Sequence, residues 1–197
     1  MAQGVSEWTR FLTRANQLLR TTTPPAAVQL PVEGSMPSLD GATGWLNSPP
    51  LTVADLGGRV VLVQFWTYTC INWLRTLPYV RAWADKYQDQ GLIVLGVHTP
   101  EFDVEHDLGN VRRAATDLGV EFPVAVDNDY AIWSAFDNHD WPALYFVDTD
   151  GSIGDHHVGE GRYEQSERAV QRLLGVEREL VCVEGLGVLI GVLGFPP

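Results

Sequence analysis

The segment Phe65–Trp73 reads FWTYTCINW, and it decides the fold because a buried strand gives way within it to a helix. The run Val60–Trp66 (VVLVQFW) is apolar except at Gln64, which is typical of a strand buried on both faces. Helical periodicity follows over residues 71–87. Cys70 therefore stands at a helix entrance, where free backbone N–H groups and the helix dipole favour a thiolate. The alternative is a buried, inert core cysteine.

Outward from this segment, strands alternate with helices. Further strands are predicted over residues 92–98, 122–126, 143–147 and 153–158, and further helices over residues 109–118, 130–136 and 163–174. The turn DTDG at 148–151 joins the last two strands as a hairpin. This alternation predicts an α/β fold with a central mixed sheet and helices on both faces, the closing hairpin adding an antiparallel edge.

The ends of the chain differ from this core. Residues 1–28 are interpreted as an amphipathic helix, over about 6–19, followed by a linker. The main domain is predicted over residues 29–175, and residues 176–197 form an apolar tail. Neither end has the pattern of a secretory signal or a transmembrane helix, so the chain as written is expected to be cytoplasmic.

Composition limits the function classes. The 197 residues carry a formal net charge of −12, which argues against binding to nucleic acid or an anionic membrane. Two cysteines, Cys70 and Cys182, exclude a disulfide framework and a cysteine-rich zinc site. The scattered groups that could suggest a metal cluster are expected to be solvated or locally hydrogen-bonded, and no metal or cofactor is predicted. They are His98, Glu101, Glu105, His106, His156 and His157.

FWTYTCINW, followed by LRTLPYVRAWADKY, GLIVLGVHTPEF, DNDYAIWSAF and WPALYFVDTDG, resembles the thioredoxin-like redoxins of the TlpA/ResA type. The resemblance covers about residues 38–175 and is strongest to the thioredoxin-like domain of cytochrome-c-biogenesis proteins of the DipZ kind. It implies a thioredoxin fold and thiol–disulfide exchange. Many such relatives are extracytoplasmic, which is the alternative localisation.

The family's motif is Cys-x-x-Cys, whereas this chain reads Cys-Ile-Asn-Trp over residues 70–73. The resemblance assigns Cys70 to the attacking cysteine and leaves Trp73 in the place of the resolving one. Gln64 stands where thioredoxin has a buried acid that assists the second thiol. Dithiol turnover is therefore doubtful.

The resemblance also implies a substrate-binding surface around Cys70. Pro142 matches the family's cis-proline, beside which an extended substrate pairs with the backbone. The predicted binding residues are Trp66, Thr67, Trp73, Trp141 and Pro142, with the tryptophans as an exposed aromatic rim. Glu101 lies near the active-site end of a strand and is a candidate modulator of Cys70.

Three functions remain open from the sequence. The first is thiol–disulfide exchange through Cys70 alone, with a protein or low-molecular-weight thiol or disulfide as partner. The second is a one-cysteine peroxidase, which the Thr-x-x-Cys spacing of Thr67 favours. The third is a binding module without turnover. A Cys70–Cys182 disulfide and a homodimer are further options that the sequence does not decide.

Overall fold

A seven-stranded mixed sheet forms the centre of the protein in the computed structural model, which describes residues 31–183. The strands are β1 (Gly34–Ser35), β2 (Gly44–Leu46), β3 (Val60–Trp66), β4 (Leu92–His98), β5 (Val124–Val126), β6 (Ala143–Val147) and β7 (Ser152–Val158). The helices are α1 (Val53–Leu56), α2 (Ile71–Tyr87), α3 (Leu108–Asp117), α4 (Ala131–Ala135) and α5 (Tyr163–Leu174), with short 3₁₀ turns at Gln88–Gln90 and Asp103–His106.

The strand order is β1-β7-β6-β3-β4-β5-β2. The central strand β3 is parallel to β4, with Trp66 opposite His98, and antiparallel to β6, with Phe65 opposite Ala143. The carboxyl ends of β3 and β4 therefore lie beside the start of β6. This places Cys70, the loop after His98 and Pro142 at one end of the sheet.

Two apolar cores cover the two faces of the sheet. Alternate residues of β3 (Val60, Leu62 and Trp66) pack against α2, α3 and α5 on one face. The intervening residues (Val61, Val63 and Phe65) pack on the other face against α1, α4 and residues 36–51. A strand buried on both faces needs a predominantly apolar run, which β3 has apart from Gln64 and β4 has apart from His98.

The predicted α/β fold with a mixed sheet is confirmed. The predicted strands over 60–66, 92–98 and 143–147 and the helices over 71–87 and 163–174 have the observed bounds, and the others differ by one or two residues. Two details differ. The loop assigned before residue 50 contains β1 and β2, and the β6–β7 hairpin inserts beside β3, so that β1 forms that edge of the sheet.

The predicted N-terminal helix and residues 184–197 lie outside the described residues. The domain boundaries at residues 28 and 175 remain predictions. Within residues 31–183, no helix combines the length and the apolar character needed to cross a bilayer.

Candidate functional site

Cys70 is the N-cap residue of α2 and is half-buried. After β3 ends at Trp66, the chain turns back, and the Cys70 N–H donates to the carbonyl oxygen of Thr67 at 3.3 Å. The Cys70 carbonyl accepts the first bond of the helix, from Leu74 N–H at 3.0 Å, and its side chain caps no backbone group. The thiol is thus left at the helix entrance, beside the backbone N–H groups of the first turn that have no partner within the helix.

The start of β6 faces this thiol. Cys70 Sγ lies 3.7 Å from the carbonyl oxygen of Trp141. The Trp141–Pro142 peptide bond is cis, the isomer that the redoxin resemblance implies. The indole N–H of Trp141 donates to Thr99 O at 3.0 Å, and the ring lies 4.3 Å from that of Trp133. Trp141 is half-buried and held in place, whereas Pro142 is buried.

The predicted aromatic rim is wrong for two of its members. Trp66 and Trp73 are both fully buried, and their rings stack at 4.3 Å with an interplanar angle of 23°. Trp66 has the strand parity of Val60 and Leu62, so it faces α2, and Trp73 lies on the helix face that packs on the sheet. Trp73 is therefore a core residue and is not available to a substrate.

Thr67 and Glu101 are also placed differently from the prediction. Thr67 is fully buried, so it is not a substrate-binding residue. The Glu101 side chain is exposed. The acid that reaches the cysteine loop, residues 67–70 between β3 and α2, is Glu105, four residues further along. Glu105 Oε1 accepts a hydrogen bond from the hydroxyl of Thr69 at 2.6 Å and a longer one from the Thr69 N–H at 3.4 Å.

The second oxygen of Glu105 binds the loop after β4. Oε2 accepts from the N–H groups of Glu101 at 2.6 Å and Phe102 at 2.9 Å. Burial would raise the pKa of Glu105, but the hydrogen bonds from Thr69 and the two backbone groups outweigh it, and the pKa lies below the ordinary value. An ionised, fully buried carboxylate thus joins the cysteine loop to the loop after β4.

His98 lies beside this carboxylate at the end of β4. Its ring is fully buried, edge-on to Trp66 at 4.8 Å and stacked on Tyr68 at 5.8 Å. Neither ring nitrogen has a hydrogen-bond partner within residues 31–183. Burial lowers the pKa of His98 to about 4, against a smaller opposing effect of Glu105. The imidazole is therefore neutral at pH 7.

Cys182 lies away from Cys70. The preceding residue, Val181, donates its N–H to Glu167 Oε2 at 2.7 Å, and Glu167 Oε1 accepts from Lys86 at 2.8 Å. Lys86 is in the last turn of α2, the end opposite to Cys70. Both cysteines are free, so the structure contains no Cys70–Cys182 disulfide. Among the described residues, no group of three or more His, Cys, Asp or Glu side chains is arranged to hold a metal ion.

A sequence profile of the AhpC/TSA family matches residues 37–156, which take in β2 to β6 and most of β7, together with the Cys70 turn and the cis peptide bond. The chain belongs to the AhpC/TSA family. Within this family, it is similar to Protein DipZ of Mycobacterium tuberculosis (strain CDC 1551 / Oshkosh), with 46% identity over 151 residues. The match covers 75% of this chain and 22% of the DipZ chain, so it concerns one part of a longer protein.

Two further comparisons cover nearly the whole of the other protein. Thiol-disulfide oxidoreductase YkuV of Bacillus subtilis (strain 168) is 33% identical over 139 residues, which are 71% of this chain and 93% of YkuV. The solution structure of a thioredoxin-like protein in the oxidized form has a TM-score of 0.66 and 32% identity, covering 73% of this chain and 97% of that one. This AhpC/TSA chain therefore has the thioredoxin-like fold and belongs with the thiol–disulfide oxidoreductases.

Glu105 is the site residue that the sequence did not single out. The segment Glu101–Asp107 (EFDVEHD) contains four acids, and only the structure identifies the one that turns inward. One signal was available: Glu105 follows Phe102 by three residues, the spacing at which a carboxylate caps the first N–H of a turn.

Proposed function

We propose that this protein carries out thiol–disulfide exchange through Cys70 alone. The observation that carries the proposal is the half-buried Cys70 thiol at the entrance of α2, with the fully buried Trp73 in the position of a resolving thiol. The Cys70 thiol at this position can attack a disulfide. Trp73 has no thiol, so its side chain cannot complete a dithiol cycle.

The exchange has two steps, each an attack of a thiolate on a disulfide. In the first, the Cys70 thiolate attacks one sulfur of a disulfide R–S–S–R′; the Cys70–S–S–R bond forms, the old bond breaks, and R′–S⁻ leaves and takes a proton from water. In the second, an external thiolate R″–S⁻ attacks the R sulfur of the mixed disulfide. It forms R–S–S–R″ and releases the Cys70 thiolate. Across both steps, R′ leaves as a thiol, R″ is oxidised into the new disulfide, and Cys70 is regenerated.

The residues around Cys70 would serve the first step. The Trp141 carbonyl, 3.7 Å from Cys70 Sγ, lies at the start of β6 and is the backbone to which an extended substrate would align. Trp141 is held by the Thr99 carbonyl and by Trp133, so this backbone is fixed before a substrate arrives. A fixed approach direction favours attack along the axis of the disulfide bond.

The peroxidase alternative has less support. It assigns the Thr67 hydroxyl to the positioning of peroxide beside Cys70, but Thr67 is fully buried beneath the turn. A hydroxyl in that position has no solvent-facing surface for a peroxide.

The third candidate is a binding module without turnover. Such a module does not need the Cys70 thiol, so its Cys70→Ser variant would function as well as the wild type.

The experiment compares the wild type with Cys70→Ser and Cys182→Ser, using 2-hydroxyethyl disulfide, a small neutral probe, at pH 7. We expect a mixed disulfide on Cys70 in the wild type and in Cys182→Ser but not in Cys70→Ser, detected by intact mass spectrometry with peptide mapping. We also expect little catalysis of insulin disulfide reduction, because no second thiol releases the product. Failure of Cys70 to react while the protein is folded would overturn the proposal.

A further inference from the structure

The loop after β4 forms an exposed lip beside the cysteine loop. We define the acidic lip as residues 101–107, EFDVEHD. Glu105 ties it to Thr69, and the hydroxyl of Tyr68 donates to the carbonyl oxygen of Val104 at 3.1 Å. Both anchors on the cysteine loop lie within two residues of Cys70. The lip is thus fixed to the residues that directly precede Cys70.

The lip presents apolar side chains to solvent. Phe102 is 55% exposed and Val104 is 54% exposed, and Ile71, which follows Cys70 directly, is 42% exposed. Few large apolar residues among the described residues are exposed to this extent. Phe102 and Val104 lie on the lip, and Ile71 is the first residue of α2, next to Cys70. Apolar exposure that is concentrated around a reactive group is typical of a docking surface.

The same lip is strongly negative. Its exposed acids are Glu101, Asp103 and Asp107, the buried Glu105 is ionised, and the lip contains no lysine or arginine. The negative charge of the lip also affects the pKa of Tyr68 in the cysteine loop. Burial raises the pKa of Tyr68, Glu105 and Asp107 raise it further, and Arg113 opposes them.

We propose that the acidic lip selects a protein disulfide partner whose cysteine lies in an apolar segment with basic residues. This inference rests on the proposed exchange at Cys70. The exposed Phe102 and Val104 would cover the apolar part of the partner, and the exposed acids would face its basic residues. Oxidised glutathione, an anionic disulfide, lacks an apolar segment and is repelled by the same acids.

A second copy of the chain is a poor occupant of this surface. A symmetric pair would bring two acidic lips together, and each chain has a formal net charge of −12. Charge complementarity therefore favours a basic partner over self-association through the lip.

The test uses two peptides of equal length, each with one cysteine in a mixed disulfide with thionitrobenzoate. In one peptide the cysteine is flanked by leucine and arginine, and in the other by leucine and aspartate. Release of thionitrobenzoate gives the rate of attack by Cys70 in the Cys182→Ser background. At low ionic strength we expect the arginine peptide to react at least about fivefold faster, and salt at about 0.5 M to remove most of this difference.

Two variants separate charge from apolar contact. Glu101→Gln combined with Asp103→Asn should bring the two peptide rates together, whereas Asp85→Asn with Asp89→Asn, at the far end of α2, should leave the ratio unchanged. Phe102→Ser with Val104→Ser should slow both peptides but not 2-hydroxyethyl disulfide. Each of these results supports selection by the lip.

The opposite results overturn the inference without overturning exchange itself. Equal rates for the two peptides, a faster aspartate peptide, or a preference for oxidised glutathione would exclude a selective acidic lip if 2-hydroxyethyl disulfide still reacts with Cys70. Absence of reaction with 2-hydroxyethyl disulfide would instead contradict the proposed function.

Discussion

The carboxylate of Glu105 accepts a hydrogen bond of 2.6 Å from the hydroxyl of Thr69, one residue before the cysteine. It also accepts from two N–H groups of the loop after β4, and it is fully buried. The carboxylate of Glu105 therefore joins the cysteine loop to the acidic lip.

Glu105→Gln should weaken both the fold and the reaction. The amide replaces an oxygen with an NH₂ group that faces hydrogen-bond donors, so we expect a loss of about 1–3 kcal/mol in unfolding free energy. Displacement of the cysteine turn should slow the reaction of Cys70 with 2-hydroxyethyl disulfide by about tenfold. Glu101→Gln is the matched control, because that side chain is exposed, and it should leave both quantities near wild type. Equal behaviour of the two variants would show that Glu105 does not position Cys70.

Trp73→Cys should create a dithiol site at a cost in stability. Residues 70 and 73 lie one helical turn apart, so the two thiols can form a disulfide, and insulin reduction should rise above the wild-type level. Loss of the buried indole that stacks on Trp66 should cost about 3–5 kcal/mol, measured by urea unfolding.

The control for this experiment is Trp83→Cys. Trp83 is also fully buried on α2 and should be similarly destabilising when replaced, but a thiol at that position cannot reach Cys70. Catalysis of insulin reduction by the Trp83→Cys variant would contradict the claim that only residue 73 lies close enough to Cys70 to form a disulfide with it. So would a folded Trp73→Cys protein in which Cys70 forms no disulfide with the introduced cysteine.

The elements around Cys70 could be predicted because they carry long, simple patterns. β3, β4 and α2 are each seven or more residues long, and their apolar residues form a nearly continuous run or follow a helix period. β1 and β2 are two and three residues long, too short to leave a period, and their pairing depends on β7 and β5, which are distant in sequence.

The errors at the site have a common origin. Trp66 and Trp73 are close to Cys70 in the sequence, and for that reason they are predicted at the surface. Trp66, however, points to the same face of β3 as Val60 and Leu62, and that alternation indicates burial. Which acid of the lip turns inward depends on where Thr69 lies in space, and the only local signal for Glu105 is its three-residue spacing from Phe102.

Because of His98, the unfolding free energy should decrease as the pH falls from about 6.5 towards 4. Its pKa is about 4 when folded and 6.5 as an ordinary histidine, so below pH 6.5 the unfolded chain binds a proton that the folded protein excludes. The contribution is fully present above pH 6.5 and is lost as the pH falls towards 4. Between about pH 7.5 and pH 5.0 this histidine alone should remove about 2 kcal/mol of unfolding free energy.

The measurement is urea unfolding at the two pH values. His98→Phe, which keeps an aromatic ring between Trp66 and Tyr68, should reduce the pH-dependent loss, whatever its effect on stability at the higher pH. His139→Gln changes an exposed histidine and should leave the loss as in the wild type. A His98→Phe protein with an unchanged pH dependence would show that His98 is not the buried neutral group.

Glu167→Ala should destabilise the junction of α2, α5 and the segment after α5. Glu167 is buried and accepts from Lys86, from the Tyr87 hydroxyl at 2.5 Å and from Val181 N–H. Its removal leaves these donors without their acceptor and should cost about 3 kcal/mol in urea unfolding.

The control is Glu164→Ala, three residues earlier on α5. Glu164 forms an exposed pair with Arg168, and its loss should cost less than about 0.5 kcal/mol. Equal costs for the two variants would mean that the buried network contributes no more than a surface ion pair.

The most direct test of the single-cysteine account follows a Cys70 mixed disulfide over time. Wild-type protein is reacted with 2-hydroxyethyl disulfide, freed of excess reagent and followed by intact mass spectrometry. We predict an adduct on Cys70 that persists until an external thiol is added, after which the free protein returns. Spontaneous loss of the adduct, with formation of an internal Cys70–Cys182 disulfide, would contradict the account.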